Sequence, residues 1–501
     1  MNLLDQVDST PLPEAVGALS DKRKWSPNQE AIFDAVSSTQ DNLLVQAVAG
    51  SGKTTTLVEA TRRAEGTTLF LAFNKAIAEE LKTRVAHGDV KTMNALGHRL
   101  WLDNSSAKFD MQKLKVLIDK ICPPDMVKDY GYTISRVVGL AKSLALGLDG
   151  EPVTSHQLAQ IIENFQFDVP CDFVAQVSEY AKTAFELSIR DNTTFDFDDQ
   201  LYGPLYYGWD YPVYTNVMVD EAQDLSPIQH EMLQAMRGSR IIAVGDRHQA
   251  IYGFRGASHD SMDELKSMFQ SKELPLDITY RCPVQVVEEA RRLNPDIRAR
   301  DNAPSGSVSD LEEGAEDPRL FIPNQLVLAR TNAPLFRAIL RHIRQREPCR
   351  VLSNFLDSFQ SFVRGLAKGP RGSQELRKAS DVLERLDRWY MKERDAAQGR
   401  RGRLAYLHDR YETVKLLLEQ HSTVYEACET VRRLAECRTG PLFSTIHKAK
   451  GLESPDVYII RPDLMPHPMA DGEKELVQEG NLKYVAITRS SDQLTYGQRE
   501  F

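Results

Sequence analysis

The sequence contains no apolar run of about 18 residues or more, so no segment is long enough to cross a bilayer as a helix. Its six cysteines (Cys122, Cys171, Cys282, Cys349, Cys428, Cys437) are scattered, with no C-x-x-C pair. That argues against a zinc site or a disulfide framework and fits a reducing compartment. The first residues, MNLLDQVDSTPLPEAV, lack the basic stretch and apolar run of a secretory leader. The expected location is therefore cytoplasmic: that of a bacterium, or of a host if the chain is phage-encoded. No repeat of fixed period and no low-complexity tract occurs. Glycine and proline, 28 and 24 of 501 residues, are too few for a collagen-like or wholly disordered chain.

What is present is ordinary globular material, 42% hydrophobic and 27% charged, at a length that allows about three domains. The net charge of −9 speaks against a polyanionic partner when taken alone. It is unevenly spread, however: residues 336–440 hold 22 basic and 14 acidic residues, against 40 and 57 in the remainder. An acidic body with one basic segment can bind a polyanion through that segment, and an arginine-rich set of solvated helices would read the same.

Short Val/Ile/Leu-rich runs at 42–48, 68–73, 215–219, 240–244, 325–329 and 456–460 read as buried parallel strands. Between 99 and 191, and again from 346 to 440, apolar residues recur at three- and four-residue spacing, as in LKVLIDKI and YETVKLLLEQ. The pattern is an α/β protein with two parallel-sheet units, each interrupted by a mainly helical insertion.

Residues 47–54, AVAGSGKT, follow the first run and precede the helical TTTLVEATRRA. Small residues let backbone N–H groups curl around phosphate oxygens, as in a P-loop. Lys53 would neutralise the β- and γ-phosphates and Thr54 would ligate Mg²⁺. The run VMVD followed by Glu221 supplies a second metal carboxylate, Asp220, and a base for water, Glu221. Phosphoryl transfer also needs positive charge at the γ-phosphate, for which Arg281 (in LDITYRCP) and Arg489 (in YVAITRS) are candidates.

These segments stand in a fixed order: SPNQ, AVAGSGKT, AFNKAIAEEL, TMNALG, DFDD, VDEAQD, VGDRHQAIYGFRGA, LDITYRCP, LARTN, STIHKAKGLE and YVAITRS. The set resembles the UvrD/Rep/PcrA helicases of superfamily 1A over about residues 25–501, leaving out the helical insertions. The resemblance implies two RecA-like P-loop domains: 1–98 with 192–272, and 273–345 with 441–501. Residues 99–191 would form the helical 1B insertion and 346–440 a reduced, basic 2B-like insertion. It implies an ATP-dependent DNA helicase moving 3′→5′ on single strands, with ATP and Mg²⁺ at the cleft between the two domains. The partners would be single-stranded DNA and single/double-strand junctions, with a loading partner left open.

By the same resemblance, Gln29 reads adenine, Tyr280 stacks on it and Glu453 contacts the ribose. The nucleotide site would comprise these three with Ala49, Gly50, Ser51, Gly52, Lys53, Thr54, Thr55, Arg281 and Arg489; Gln249 would sense the γ-phosphate. Phe73, Asn74, Thr92, Tyr252, Phe254, Arg255, Arg330, Thr445 and His447 fall at strand-contacting positions. Phe73 taken alone reads as core on burial statistics. Tyr252 and Phe254, two apart, would share one face if on a strand. Asn94, Thr279, Arg247-His248 and Gly480-Asn481 depart from the family pattern. Arg400, Arg401 and Arg403 are the expected duplex or backbone contacts of the basic insertion. Two other functions stand beside the helicase: a translocase that displaces proteins and unwinds only with a partner, and a nucleotide-gated binding module with a vestigial ATPase, against which Lys53, Thr54, Asp220, Glu221, Gln249, Arg281 and Arg489 are all present.

Overall fold

The computed structural model describes residues 24–165, 167, 169–253, 260–311, 321–368, 376–397, 401–468, 470 and 472–497. A first sheet is built from β1 (Leu43–Ala47), β2 (Thr68–Ala72), β3 (Asp89–Thr92), β4 (Asn216–Val219), β5 (Arg240–Gly245) and β6 (Lys272–Leu276). All pairings are parallel, in the order β3-β2-β4-β5-β1-β6. Runs such as LLVQA and RIIAVG suit strands covered on both faces. One face, with Val45, Phe70, Met218 and Val244, packs on helices Pro27–Ser38, Lys53–Arg63 and Lys75–Arg84. The other, with Leu44, Leu71, Val217 and Ala243, packs on Met93–Asn104, Pro227–Ala235 and Ser261–Phe269. Each such Val, Leu, Phe or Met side chain, fully buried, stabilises by about 1.5–3 kcal/mol.

The second sheet comprises β7 (Ser307–Asp310), β8 (Leu326–Ala329), β9 (Arg350–Leu352), β10 (Leu442–Thr445), β11 (Ser454–Ile460) and β12 (Ser490–Tyr496). It is again parallel, in the order β7-β12-β11-β8-β10-β9. On one face Leu328, Ile459 and Leu494 join Leu482, Tyr484 and Val485, together with Val48, Ala49 and Ile251 of the first unit. The two units are thus packed through one continuous core at the P-loop. Among the described residues no helix is long and apolar enough to cross a membrane.

The helices between β3 and β4, namely Lys113–Ile121, Pro124–Ser143, Ser155–Asn164 and Cys171–Arg190, enclose a core of their own around Ile134, Val138, Leu158, Val177 and Phe185. A buried ion cluster pins them to their base. Asp199 accepts from Lys142 Nζ at 2.6 Å and from Lys113 Nζ at 2.7 Å. The helices Asn354–Lys368, Ala379–Ala396, Arg401–Glu419 and Val424–Glu436 are held differently. Their apolar residues Phe359, Val382, Leu386, Leu417 and Val431 belong to one cluster with Phe336 and Ile339 of helix Asn332–Arg344 and with Val327, Phe443 and Tyr458 of the sheet. This insertion is a further layer on its sheet.

The expected boundaries shift in three places. The 345/346 division assigns β9 to the insertion, but β9 pairs with β10 and so carries the second unit to Leu352. The 272/273 division falls inside β6, which pairs with β1 along Leu43–Ala47 and so carries the first unit to Leu276. The 98/99 division falls inside the unbroken helix Met93–Asn104. Arg403 also departs from expectation. Rather than facing solvent, it is 4% exposed, ion-paired to Glu393 Oε2 at 2.8 Å, and donates to the Phe167 carbonyl. It therefore ties the two insertions together. Arg401 is exposed, and Arg400 lies outside the described residues.

Candidate active site

In parallel α/β sheets the carboxyl ends of the strands carry the loops that bind ligands. Here β1, β4 and β5 deliver their loops to one cleft. After β1, Gly50 and Gly52 adopt φ of +71° and +81°, a region that glycine enters without the Cβ clash. They turn the chain into helix Lys53–Arg63, whose N-terminus has no side-chain cap. Its first amides are thus available to an anion, and the helix dipole favours one there. Ser51 Oγ is buried without a hydrogen-bond partner. A phosphate oxygen would satisfy it.

Lys53 Nζ lies 3.4 Å from Glu221 Oε2. Burial works to lower the ammonium's pKa, but Glu221, Asp246 and Asp220 together raise it, so it stays charged. Thr54 Oγ1 donates to Asp220 Oδ2 at 2.6 Å. Burial and the neighbouring Glu221 charge push Asp220 up to about 6. For Glu221, burial is outweighed by Lys53 and Lys450, which hold the carboxylate well below its usual range. Glu221 sits at φ 52°, with its N–H donating to Asp220 Oδ1 at 2.9 Å. The Thr54–Asp220 pair is a hard oxygen donor set that suits a small divalent cation such as Mg²⁺, which keeps most of its water shell and needs few protein ligands.

Beyond β5, Gln249 Nε2 donates to Asp246 Oδ2 at 2.6 Å, and Arg489 Nη2 reaches Gln249 Oε1 at 3.4 Å. Arg489 is 1% exposed. Burial, with Arg281 nearby, lowers its pKa to about 9. Arg281 donates to Glu453 Oε2 at 2.7 Å and to the Thr488 carbonyl at 3.2 Å. A Cβ at Gly50 would stand 2.6 Å from Arg281 Cβ and 2.7 Å from Thr279 Oγ1. Farther along the cleft, Tyr280 Oη donates to Gln29 Oε1 at 3.3 Å, and Gln29 Nε2 donates to Thr56 at 3.0 Å. Tyr280 is 44% exposed, a ring face open to stacking. Thr55 accepts from Arg84 at 3.2 Å, on the outer side of the P-loop helix. The Ala49 amide is held by Tyr484 Oη at 3.1 Å instead of facing the loop's interior.

The remaining candidates sit at other strand ends. Phe73 follows β2 and is 42% exposed, so it is not the core residue its type suggests. Asn74 and Thr92 cap helices Lys75–Arg84 and Met93–Asn104. Thr445 ends β10, and the His447 carbonyl accepts from Tyr252 Oη at 3.5 Å. Tyr252 lies in irregular backbone, so the one-face argument for Tyr252 and Phe254 does not apply. Phe254 and Arg255 fall outside the described residues. Arg330 forms a bidentate ion pair with Glu479, closest approach 2.6 Å.

Four residues in or beside these motifs were not singled out from the sequence. Asn481, in a position that departs from the family pattern, donates to the Arg247 and Ala250 carbonyls across the units. Tyr484 braces the P-loop. Gln223 donates to Glu221 at 2.6 Å and accepts from the Asp246 amide at 2.9 Å. Lys450 pairs with Asp224 at 2.5 Å. Gln223, Lys450 and Tyr484 lie inside motifs already recognised, and Asn481 just before one; what was missing was the partner, which comes from the other unit or from 20 or more residues away, or, for Gln223, from Glu221 beside it.

Two parallel-sheet units, a P-loop with a half-buried Lys–Glu pair and arginines reaching in from the second unit define a two-domain P-loop protein. Models of the UvrD/REP helicase N-terminal domain match residues 27–143 and 175–270, and the UvrD-like helicase C-terminal domain matches 442–495. The chain belongs to the UvrD-like helicase family. It is 26% identical to F-box DNA helicase protein 1 of Schizosaccharomyces pombe over 93% of this chain and 56% of that protein. It is 28% identical to ATP-dependent DNA helicase UvrD2 of Mycobacterium tuberculosis over 55% of this chain and 46% of that one. The chain thus spans about half the length of these relatives. A solved complex of arterivirus nonstructural protein 10 helicase with DNA aligns over 94% of this chain and 62% of that one at 12% identity and a TM-score of 0.34. That likeness is too loose to bear on the site.

Proposed function

We propose that the chain is an ATP-dependent DNA helicase and translocase that moves 3′→5′ on single strands and hydrolyses ATP between its two sheet units. The observation that carries this reading is the convergence of Lys53, Thr54, Asp220, Glu221 and Gln249 from the first unit with Arg281 and Arg489 from the second. Adenine would lie between Gln29 and Tyr280, with the ribose toward Glu453. The phosphates would take the P-loop amides, Ser51 Oγ and the Lys53 ammonium. Thr54 and Asp220 would hold Mg²⁺, which when bound supplies charge neutralisation at the β- and γ-oxygens.

Glu221, kept ionised by its two lysine neighbours, is suited to orient the attacking water and accept its proton. Arg489, buried and already against Gln249, stabilises charge gathering on the γ-phosphate; Arg281 would exchange Glu453 for phosphate. Closing the cleft and assembling these groups are then one event. Phe73, Asn74, Thr92, Tyr252 and, from the second unit, Thr445 and His447 are proposed to line the single-strand track. Stacking there is worth about 1–3 kcal/mol per base. Polarity rests on family membership.

The test is ATP-driven separation of a short duplex bearing either a 3′ or a 5′ single-stranded tail, with Lys53→Ala as the inactive control. Unwinding from the 3′ tail alone is the expected result. DNA-stimulated ATP hydrolysis with no unwinding from either tail would favour a translocase that unwinds only with a partner. That second reading draws support from the 346–440 insertion being a layer of its sheet instead of a separate lobe.

A further inference from the structure

Lys450 lies in the turn after β10, in the second unit, yet its ammonium is spent on the first. Nζ donates to Asp224 at 2.5 and 2.8 Å and to the Gln249 carbonyl at 2.7 Å. It also stands 4.7 Å over the Tyr252 ring. All three donors are used, and the side chains of Lys450 and Asp224 are only 9% and 2% exposed. This is therefore no solvated surface lysine. Asp224 is joined to the base through Gln223, whose Nε2 donates to Asp224 at 3.2 Å and to Glu221 at 2.6 Å.

We propose that Lys450 is a positioning residue that couples closure of the nucleotide cleft to the grip on single-stranded nucleic acid. Its ammonium is a junction at which both ends meet. On one side the chain Lys450–Asp224–Gln223–Glu221 leads to the water-activating carboxylate. On the other, the cation sits on Tyr252, a proposed stacking ring, and on the backbone of Gln249, the γ-phosphate sensor. The two charges lie on different units, so parting the units breaks an ion pair that is buried while they are together. Closed and open arrangements are thereby separated into two discrete states, and both ligands bias the same one. This inference rests on the helicase reading given above.

The experiment measures the affinity for an oligothymidylate with and without a non-hydrolysable ATP analogue and Mg²⁺, together with the factor by which the oligonucleotide stimulates ATP turnover. Wild type, Lys450→Ala, Lys450→Arg, Asp224→Asn and the Ala/Asn double variant are compared, with thermal unfolding as the folding check. The analogue is expected to change wild-type DNA affinity within the usual range for coupled sites, about 5- to 150-fold. In Lys450→Ala and in the near-isosteric Asp224→Asn this factor should fall to within about twofold of unity. The double variant should lose no more, and Lys450→Arg, which keeps the charge, should retain most of it. Intact coupling in either single variant, beside a coupled wild type, overturns the proposal alone. A wild type with no nucleotide effect on DNA binding and no DNA-stimulated turnover overturns the helicase reading and the coupling with it.

Discussion

The two helical insertions look alike in sequence, both amphipathic and comparable in length, yet they are anchored by different physics. The one between β3 and β4 closes on an apolar core that is mostly its own, reaching the first unit at Ile228, and is fastened to helix Asp199–Tyr206 by buried charge, Lys113 and Lys142 on Asp199. The one inside the second unit has no core apart from its sheet: Leu417 and Val431 share a cluster with Val327 and Phe443. An insertion with a private core can move as a body when its few polar fastenings give. An insertion that supplies the cover of a sheet moves only with that sheet. Amphipathicity reports that a helix has a buried face; it does not report whose core that face joins.

The sharpest way to break this contrast is Lys142→Met. Removing one partner of a buried ion pair typically costs about 3–5 kcal/mol. The loss should fall on the first insertion, so hydrogen exchange should accelerate in Pro124–Ser143 and Cys171–Arg190 while β8 and β11 stay protected. Leu417→Ala should cost about 2–5 kcal/mol and leave a cavity. Here protection should drop in the helices and in β8 and β10 together. Loss confined to the helices would mean a separable lobe after all.

Arg403→Ala should cost about 1–3 kcal/mol, because it removes a buried ion pair from Glu393 and a donor from the Phe167 carbonyl. Denaturant melts would measure it, and exchange should rise at Phe167 on the first insertion. Arg401→Ala, on an exposed position, should change stability by less than about 0.5 kcal/mol. If that residue touches phosphate, the slope of log K against log salt should lessen by about 0.9. An unchanged slope would remove it from the DNA-binding surface.

The strands legible in the sequence were those with unbroken aliphatic runs: β1, β2, β4, β5, β8 and β11. The others are polar or short. KELPL in β6 carries a proline that an edge position tolerates, and SVSD and RVL in β7 and β9 also sit at edges, where only part of the strand is covered. β3, β10 and β12 are too polar to stand out: DVKT, LFST and SSDQLTY. In the site, the motif residues on strand ends were readable because phosphate chemistry demands their type. Which arginine turns inward was not. Arg403 and Arg401 are two apart on one helix, and only the fold decides that one is buried against Glu393 and the other exposed. Likewise Arg330 reads as a free cation until Glu479, 149 residues away, is placed beside it.

The contact at Gly50 leaves the joint between the two units with no clearance. With Arg281 Cβ and Thr279 Oγ1 both inside 2.8 Å of where a first side-chain carbon would sit, any larger residue there acts as a shim, propping the cleft ajar by its own thickness. A methyl group placed at that point would set the width of the gap mechanically, whatever nucleotide occupied it, and would turn a hinge into a fixed spacer.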